Sequence, residues 1–209
     1  MKTGVRIKQH DITDCGAACL ASISAHYGLN LPIAKIRQMA STDRKGTNVL
    51  GLIEAAGKLG FEVKAVKSKQ PDGTNNVEPL QKIPTPAIAH VIKNEKLLHY
   101  EVIYSVKKDR IQIMDPGTGE LEWIKIEDFN KEWTGILLRR DSEPICLTNN
   151  QRIMKSFEVK ALGLEEMNQN EIVSTNGGGA VGLIIALAVF VAGVVLCLVA
   201  SKGKIQRTH

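Results

Sequence analysis

The chain has 209 residues, of which 44% are hydrophobic, so it can bury one sizeable core and is not disordered throughout. From Ala180 to Ala200, 19 of 21 residues are Ala, Val, Leu, Ile, Phe or Cys, and none is charged. All 22 acidic residues and 24 of the 27 basic residues precede Gly179, so the larger part is nearly neutral and has no basic stripe. We therefore expect no nucleic-acid partner, despite a pI of 9.0.

The first helix is predicted from Asp14 to Tyr27, with Thr13 or Asp14 as its N-cap and Gly28 as its C-cap. Two further helices are predicted at Pro32–Met39 and Asn48–Leu59. After Gly60 the pattern changes to alternating residues rich in β-branched side chains. This change predicts six strands, at Phe61–Val66, Thr85–Val91, Leu98–Val106, Ile111–Met114, Leu121–Ile126 and Trp133–Leu138.

A helical turn is expected at Glu127–Lys131, and two hairpins turn at residues 107–110 and 115–119. Helices followed by an antiparallel sheet indicate an α+β domain over residues 1–140. Residues 141–153 are polar and predict a linker. Residues 154–178 are polar with spaced hydrophobic residues, and residues 179–209 contain the apolar segment.

Cysteine usage argues against a disulfide scaffold, because the four cysteines (15, 19, 146 and 197) are few and scattered. Cys15 and Cys19 are four residues apart, a spacing that fits neither a redox pair nor a zinc knuckle. We expect no metal and no cofactor. The polar sequence from Met1 to Asp14 predicts no signal peptide, so we place this domain in a reducing cytoplasm, where a free thiol survives.

Cys15 is a candidate nucleophile because it stands at the start of the first predicted helix, where the helix dipole and free N–H groups favour a thiolate. Gly16 leaves room for a substrate backbone. Cys19 lies one turn further on, among Ala and Leu, and is interpreted as a buried structural thiol. By itself, a helical cysteine such as Cys15 is more often a core residue.

The segment from Gln9 to Leu20, QHDITDCGAACL, resembles the active-site segment of the bacteriocin-processing cysteine peptidases. Those domains stand at the N-terminus of peptide-exporting ABC transporters and cut after a double glycine. The resemblance covers roughly residues 5 to 140 and implies a papain-like fold. It implies that Cys15 attacks the peptide bond, that Gln9 supports the oxyanion hole, and that a distant His and Asp complete the triad.

Five histidines are candidates for the base. The segment from His99 to Ile103 resembles the family's His-aromatic segment at the start of a strand, and a hairpin returns from it to Asp115. An aspartate there can hold the imidazole in the tautomer that serves the thiolate. We therefore predict a triad of Cys15, His99 and Asp115, with His90 as the alternative base. Asp115 also begins an Asp-Pro-Gly turn, which can be purely structural.

Residues 154–178 resemble the leader of a double-glycine peptide precursor, which a peptidase reads through hydrophobic residues along an amphipathic helix. With Gly177 and Gly178 as the double glycine, the matching positions are Leu164, Met167, Glu171 and Ile172. Thr175 departs from the pattern, which has an aliphatic residue there. We predict a groove for Leu164, Met167 and Ile172 and a cut between Gly178 and Gly179. The glycines can also be read as a flexible joint before a membrane helix.

The apolar segment, residues 180–200, is long enough to span a bilayer as a C-terminal hydrophobic helix. The bases Lys202, Lys204 and Arg207 beyond it would then place the peptidase outside the cell by the positive-inside rule, which conflicts with a cytoplasmic thiol enzyme. The conflict eases if residues 179–209 are a cationic, hydrophobic cargo peptide. In that case the chain is a natural or artificial fusion of a peptidase with its precursor.

Three functions follow from these readings. The first is a cysteine endopeptidase that cleaves double-glycine leaders of peptide precursors at the bacterial inner membrane, facing the cytoplasm and partnered by an ABC transporter module outside this chain. The second is a membrane-anchored module that binds leaders without cutting them, although Cys15 is present here. The third is a membrane-active peptide escorted by an N-terminal targeting domain.

Overall fold

The computed structural model describes residues 4–68, 77–140 and 164–178. Three helices come first: α1 (Cys15–His26), α2 (Ile33–Met39) and α3 (Val49–Lys58). A short strand, β1 (Thr47–Asn48), precedes α3. The order of helices and later strands matches the α+β expectation, and the ends of the predicted elements differ from the observed ones by at most two residues.

Asp14 is the N-cap residue of α1, as one of the two predicted alternatives has it, but its side chain makes no cap hydrogen bond to the helix. A 3₁₀ turn at Ile12–Asp14 runs directly into the helix, and Asp11 is the N-cap of this turn. The Asp11 carboxylate accepts from the Thr13 N–H, and Asp14 accepts from the Asp11 N–H, which forms a capping box. This turn fixes the backbone immediately before Cys15.

Seven strands form one antiparallel sheet in the order β6-β5-β4-β3-β7-β2-β8. They are β2 (Val63–Ser68), β3 (Ala87–Lys93), β4 (Leu97–Lys107), β5 (Arg110–Asp115), β6 (Glu120–Lys125), β7 (Trp133–Arg140) and β8 (Leu164–Glu166). Helix α4 (Ile126–Glu132) lies between β6 and β7, where a helical turn is predicted. A 3₁₀ turn at Glu78–Gln81 was not anticipated.

The remaining described elements belong to residues 164–178. Strand β8 is followed by a short helix, α5 (Gln169–Ser174), and by β9 (Asn176–Gly177), which pairs with β1 in a second, two-stranded sheet. The resemblance to a leader implies an amphipathic helix, and among residues 164–178 only Gln169–Ser174 is helical. The chain is extended where its backbone pairs with β2 and β1, and it is helical only between these two pairings.

Alternation along the strands divides the core into two clusters on opposite faces of the large sheet. The first cluster packs α1, α2 and α3 against inward residues such as Ile88, Tyr100 and Val102. The second lies under α4 and contains Phe129, Trp133 and the opposite strand residues. Because the first cluster fixes α1 against β4, it places the start of α1 beside the residues at the start of β4.

Candidate active site

Cys15 is the first residue of α1 and is fully buried. The preceding residue, Asp14, is also buried, and its carboxylate makes a 2.8 Å ion pair with Arg37 of α2. This pair and the capping turn hold the N-terminus of α1 in place. The thiol therefore sits where the helix dipole and the unpaired N–H groups of the first turn favour negative charge.

His99 and Asp115 are brought together by the pairing of β4 with β5. In this pairing Val102 lies opposite Met114, so the start of β4, which carries His99, lies beside the end of β5, which carries Asp115. The His99 Nε2 atom is 2.8 Å from Asp115 Oδ1, and the Gly117 N–H donates to the same oxygen at 2.7 Å. The Asp-Pro-Gly turn thus has a structural role and at the same time orients the carboxylate toward the imidazole.

The environment of His99 favours its protonated form. Burial acts to lower the pKa of His99, but hydrogen bonds to Asp115 and Cys15, together with the charges of both groups, raise it to about 9. Asp115 takes Nε2, so Nδ1, which is buried, is the ring nitrogen that remains for the Cys15 thiol. The pKa of Asp115 is lowered, because the hydrogen bond and charge of His99 outweigh burial, which acts to raise it.

Gln9 lines the same open cleft as His99, Asp115 and Gly117. Its backbone N–H donates to the Pro116 carbonyl at 2.8 Å, which ties the segment before α1 to the hairpin that carries Asp115. Its side-chain oxygen is buried and has no hydrogen-bond partner among the described residues. Gln9 therefore lines the cleft that contains His99 and Asp115, and its role as the oxyanion donor stays a prediction.

The other candidate thiol and base are placed differently. Cys19 is fully buried, its thiol lies 3.4 Å from the Tyr100 carbonyl, and burial raises the pKa of Cys19 well above its usual value. His90 faces Thr134 and the carbonyl of Asn176, and no carboxylate is among its hydrogen-bond partners in the described residues. His99 is therefore better placed than His90 to act as the base.

Residues 164–178 lie across the α+β domain and reach this site. Near the outer edge of the large sheet, β8 pairs with β2, and the Met167 N–H donates to the Ala65 carbonyl at 3.1 Å. Closer to α1, the Val49 N–H donates to the Thr175 carbonyl at 2.9 Å, and the Gly178 N–H donates to the Leu98 carbonyl at 2.6 Å. Backbone hydrogen bonds thus hold the segment at both of its ends.

The predicted leader positions are buried or paired. Leu164, Met167 and Ile172 are 1%, 7% and 9% exposed, so each adds to the core of the domain. Leu164 packs into the second hydrophobic cluster, whereas Met167 and Ile172 pack into the first, so they do not share one groove as predicted. Glu171 forms an ion pair with Lys67 of β2, a partner that the sequence did not reveal.

The two glycines occupy positions with no space for a side chain. A Cβ atom on Gly177 would overlap the ring of Tyr100, which is fully buried and cannot withdraw. A Cβ atom on Gly178 would lie 2.8 Å from the Ile12 carbonyl oxygen, and Gly178 has φ +90°, a conformation that favours glycine. Gly178 therefore lies against the turn that leads into Cys15.

Two findings concern metals and membranes. Among residues 4–68, 77–140 and 164–178, no three His, Cys, Asp or Glu side chains come together as a metal site. No helix in these ranges is long and apolar enough to cross a membrane. The predicted linker (141–153) and the predicted C-terminal hydrophobic helix (180–200) lie outside the described residues.

The family model of the peptidase C39 family matches residues 5–145. The chain belongs to the C39 peptidase family. This placement agrees with the predicted resemblance, with the α+β papain-like fold and with a thiol at the start of α1.

Curated relatives place this C39 domain among much longer proteins. The chain is 42% identical over 132 residues to the lactococcin-G-processing and transport ATP-binding protein LagD of Lactococcus lactis. This aligned stretch is 63% of this chain and 18% of that protein. It is 40% identical over 131 residues to the transport/processing ATP-binding protein ComA of Streptococcus pneumoniae, again 18% of its length. The match thus spans about a fifth of these relatives.

Solved structures share the fold over nearly their whole length. The peptidase domain of Streptococcus ComA is 36% identical, with a TM-score of 0.58 over 66% of this chain and 98% of that one. A double glycine motif protease from an AMS/PCAT transporter, solved with a leader peptide, is 30% identical, with a TM-score of 0.57 over 66% of this chain and 91% of that one. The C39 fold therefore accounts for about two thirds of the chain.

Proposed function

We propose that the chain is a cysteine endopeptidase that cleaves leader peptides of bacteriocin-type precursors after a double glycine, in a process coupled to peptide export. The observation that carries the proposal is the seating of Gly177 and Gly178 beside the turn that leads into Cys15, with His99 and Asp115 paired next to it. The relative LagD is named for lactococcin-G processing and transport, and ComA for transport and processing.

The chemistry follows from the residues in place. The Cys15 thiolate attacks the Gly178 carbonyl carbon, and the side-chain amide of Gln9 with the N–H groups at the start of α1 stabilises the resulting oxyanion. The protonated His99 gives its proton to the leaving amine as the peptide bond breaks. His99 then takes a proton from water, whose oxygen attacks the thioester and frees the Gly178 carboxylate and the Cys15 thiolate.

Substrate choice follows from the contacts of residues 164–178. Buried hydrophobic residues and the Glu171–Lys67 pair select the leader, while the lack of space beside Tyr100 excludes any side chain at Gly177. The peptide precursor and an ABC transporter module outside this chain are the partners in this proposal. It places the domain on the cytoplasmic side of the bacterial inner membrane.

The test uses the whole chain, purified under reducing conditions, and measures mass after incubation. We expect two products, residues 1–178 and 179–209, and no products from the Cys15→Ala variant. An intact mass for the wild-type chain, together with an intact separate leader peptide in the same solution, would contradict the proposal and support a module that binds leaders without cutting them.

A further inference from the structure

His90 is a buried histidine on β3 that the triad does not use. Its ring is 4% exposed and packs against the ring of Tyr100 at a centroid distance of 5.2 Å. Its Nδ1 atom is 2.9 Å from the Thr134 hydroxyl, and its Nε2 atom is 3.0 Å from the Asn176 carbonyl oxygen. Asn176 is the third residue before the proposed cleavage point, so this ring touches the substrate-like segment.

The position of the hydrogens follows from counting donors. The Asn176 carbonyl can only accept, so the contact is a hydrogen bond only if Nε2 carries a proton. The Thr134 hydroxyl has a single hydrogen. Its oxygen lies 3.0 Å from the backbone carbonyl oxygen of His90 and 2.9 Å from Nδ1. If the ring holds one proton and it is on Nε2, then Nδ1 can only accept, and the Thr134 hydroxyl hydrogen is shared between the His90 carbonyl, to which it donates, and Nδ1.

The ring holds one proton at neutral pH. Burial is the main reason that the pKa of His90 falls to about 4, and the charge of the nearby His99 lowers it further. The hydrogen bond to the Asn176 carbonyl acts in the opposite direction but does not offset burial. The docked segment and the Thr134 hydroxyl together therefore select the tautomer of His90 with its proton on Nε2.

The position of His90 in the sheet turns its ring toward residues 164–178. The register between β3 and β7 shifts between Ala89 and Val91, and such an irregularity changes the direction of a side chain. His90 lies at the shift, opposite Thr134 of β7, and Tyr100 lies between His90 and Gly177. Two neighbouring rings thus contact two consecutive residues of the segment, since His90 binds the carbonyl of Asn176 and Tyr100 closes the space beside Gly177.

We propose that His90 and Thr134 form a binding subsite for the backbone carbonyl of the third residue before the cleaved bond. The subsite takes peptides of the double-glycine class whatever the side chain at that position, because it reads only the carbonyl. It positions the substrate for Cys15 and takes no part in proton transfer to the leaving amine. This inference rests on the proposed function, because it treats residues 164–178 as occupying the substrate site.

The kinetic test uses a parent chain whose own segment is displaced from the site. This parent is the full chain with Gly177→Val, in which the overlap with Tyr100 displaces residues 176–178, and its substrate is a synthetic peptide of residues 154–182. Adding His90→Phe to the parent keeps an aromatic ring against Tyr100 but removes the N–H donor. We expect KM to rise about tenfold, with kcat changed by less than about threefold, as for loss of one buried hydrogen bond.

Matched variants separate binding from packing. His90→Gln restores an N–H donor and should recover KM to within about threefold of the parent value. Thr134→Val should raise KM, whereas Thr134→Ser, which keeps the hydroxyl, should not. An unchanged KM in His90→Phe would overturn the subsite, and so would a loss of kcat with no change in KM. If neither the wild-type chain nor the Gly177→Val parent cuts after Gly178, the proposed function itself fails.

A spectroscopic measurement tests the subsite independently of whether His90→Phe folds. In the full Cys15→Ala chain, which keeps its segment docked, the ¹⁵N shifts of the His90 ring report which nitrogen carries the proton. We expect the proton on Nε2 at neutral pH. A ring protonated on Nδ1 alone would be unable to donate to the Asn176 carbonyl and would overturn the inference.

Discussion

The charge of the His99 imidazole is set by its neighbours. Asp115 holds the imidazole by a 2.8 Å hydrogen bond, and Cys15 stands beside it at the N-terminus of α1. Because the pKa of His99 is raised to about 9, the ring keeps its proton at neutral pH. His99 can therefore act as the acid that protonates the leaving amine.

Replacing Cys15 and Cys19 one at a time should show which thiol is the nucleophile and which is structural. Cys15→Ala should abolish cleavage after Gly178 while the fold persists, because alanine fits the same buried position at the helix start. Cys19→Ala should leave cleavage largely intact and cost only the packing and weak hydrogen bond of a small buried thiol. Cleavage products are measured by mass, and folding by thermal unfolding. Persistent cleavage in Cys15→Ala would show that the mechanism is wrong.

The rate of cleavage should fall as the pH rises through about 9, because His99 then loses the proton that it gives to the leaving amine. Asp115→Asn removes the carboxylate charge that raises the pKa of His99, so the decline should move to lower pH. The observed rate of self-cleavage between pH 6 and pH 10 is the measurement for both chains. A decline at the same pH in Asp115→Asn would contradict the role given to this carboxylate.

The raised pKa of His99 makes the stability of the fold depend on pH. Because the pKa is about 9 in the folded chain and 6.5 in the unfolded chain, the folded chain binds the proton more tightly, and this stabilises the fold. The stabilisation is fully present below pH 6.5 and is lost as the pH rises to about 9. For His90 the pKa is lowered to about 4, so its contribution is present above pH 6.5 and is lost as the pH falls toward 4.

The elements β8, α5 and β9 show how the segment of residues 164–178 is held. Pairing of β8 with β2 and of β9 with β1 satisfies the backbone, and the short helix between them buries Ile172. Glu171 caps this helix by accepting from the Asn168 N–H, and its carboxylate also pairs with Lys67. One acidic side chain therefore shapes the segment and binds the domain.

The buried anchors of the segment should dominate its affinity. Met167→Ala or Ile172→Ala in a detached peptide of residues 154–178 should weaken binding about tenfold or more, because a fully buried aliphatic side chain contributes roughly 1.5–3 kcal/mol. Binding is measured on the full Cys15→Ala chain with Gly177→Val, in which the chain's own segment is displaced. Val173→Ala is the matched control, because Val173 is 51% exposed. Equal affinity after replacement of Leu164, Met167 and Ile172 together would exclude these contacts.

The chain carries both a C39 domain and, in residues 164–178, a segment that packs on this domain and reaches the turn before Cys15. Under the proposed function, this segment competes with any leader peptide that is supplied separately, because tethering raises its effective concentration at the site. We therefore expect the chain to process its own segment first. Other leaders then bind only if residues 164–178 leave the site after the cut.

Cleavage between Gly178 and Gly179 should be intramolecular and release residues 179–209. The half-time of self-cleavage should stay constant when the chain is diluted about a hundredfold, because the segment reaches the site of its own chain at any concentration. Mass spectrometry of samples taken over time gives the half-time, with Cys15→Ala as the uncleaved control. A half-time that lengthens in proportion to dilution would show that one chain cuts another.

The sequence by itself determined the local features of the site. A thiol at a helix start, Gln9 six residues before it, and the acidic and hydrophobic positions before the double glycine are set by residues close together in the chain. Each depends on one helical turn or on a fixed spacing, so it can be read without knowing the fold. The same holds for the order of helices and strands.

Only the tertiary structure decided which residues meet. The β4–β5 register pairs His99 with Asp115 and leaves His90 to the Asn176 carbonyl, and residues before and after the double glycine take their conformation from β1 and β2. These contacts join residues 16 to 104 positions apart, so local propensity carries no information about them. Strand pairing fixes them, because a shift of one residue would turn every side chain to the opposite face of the sheet.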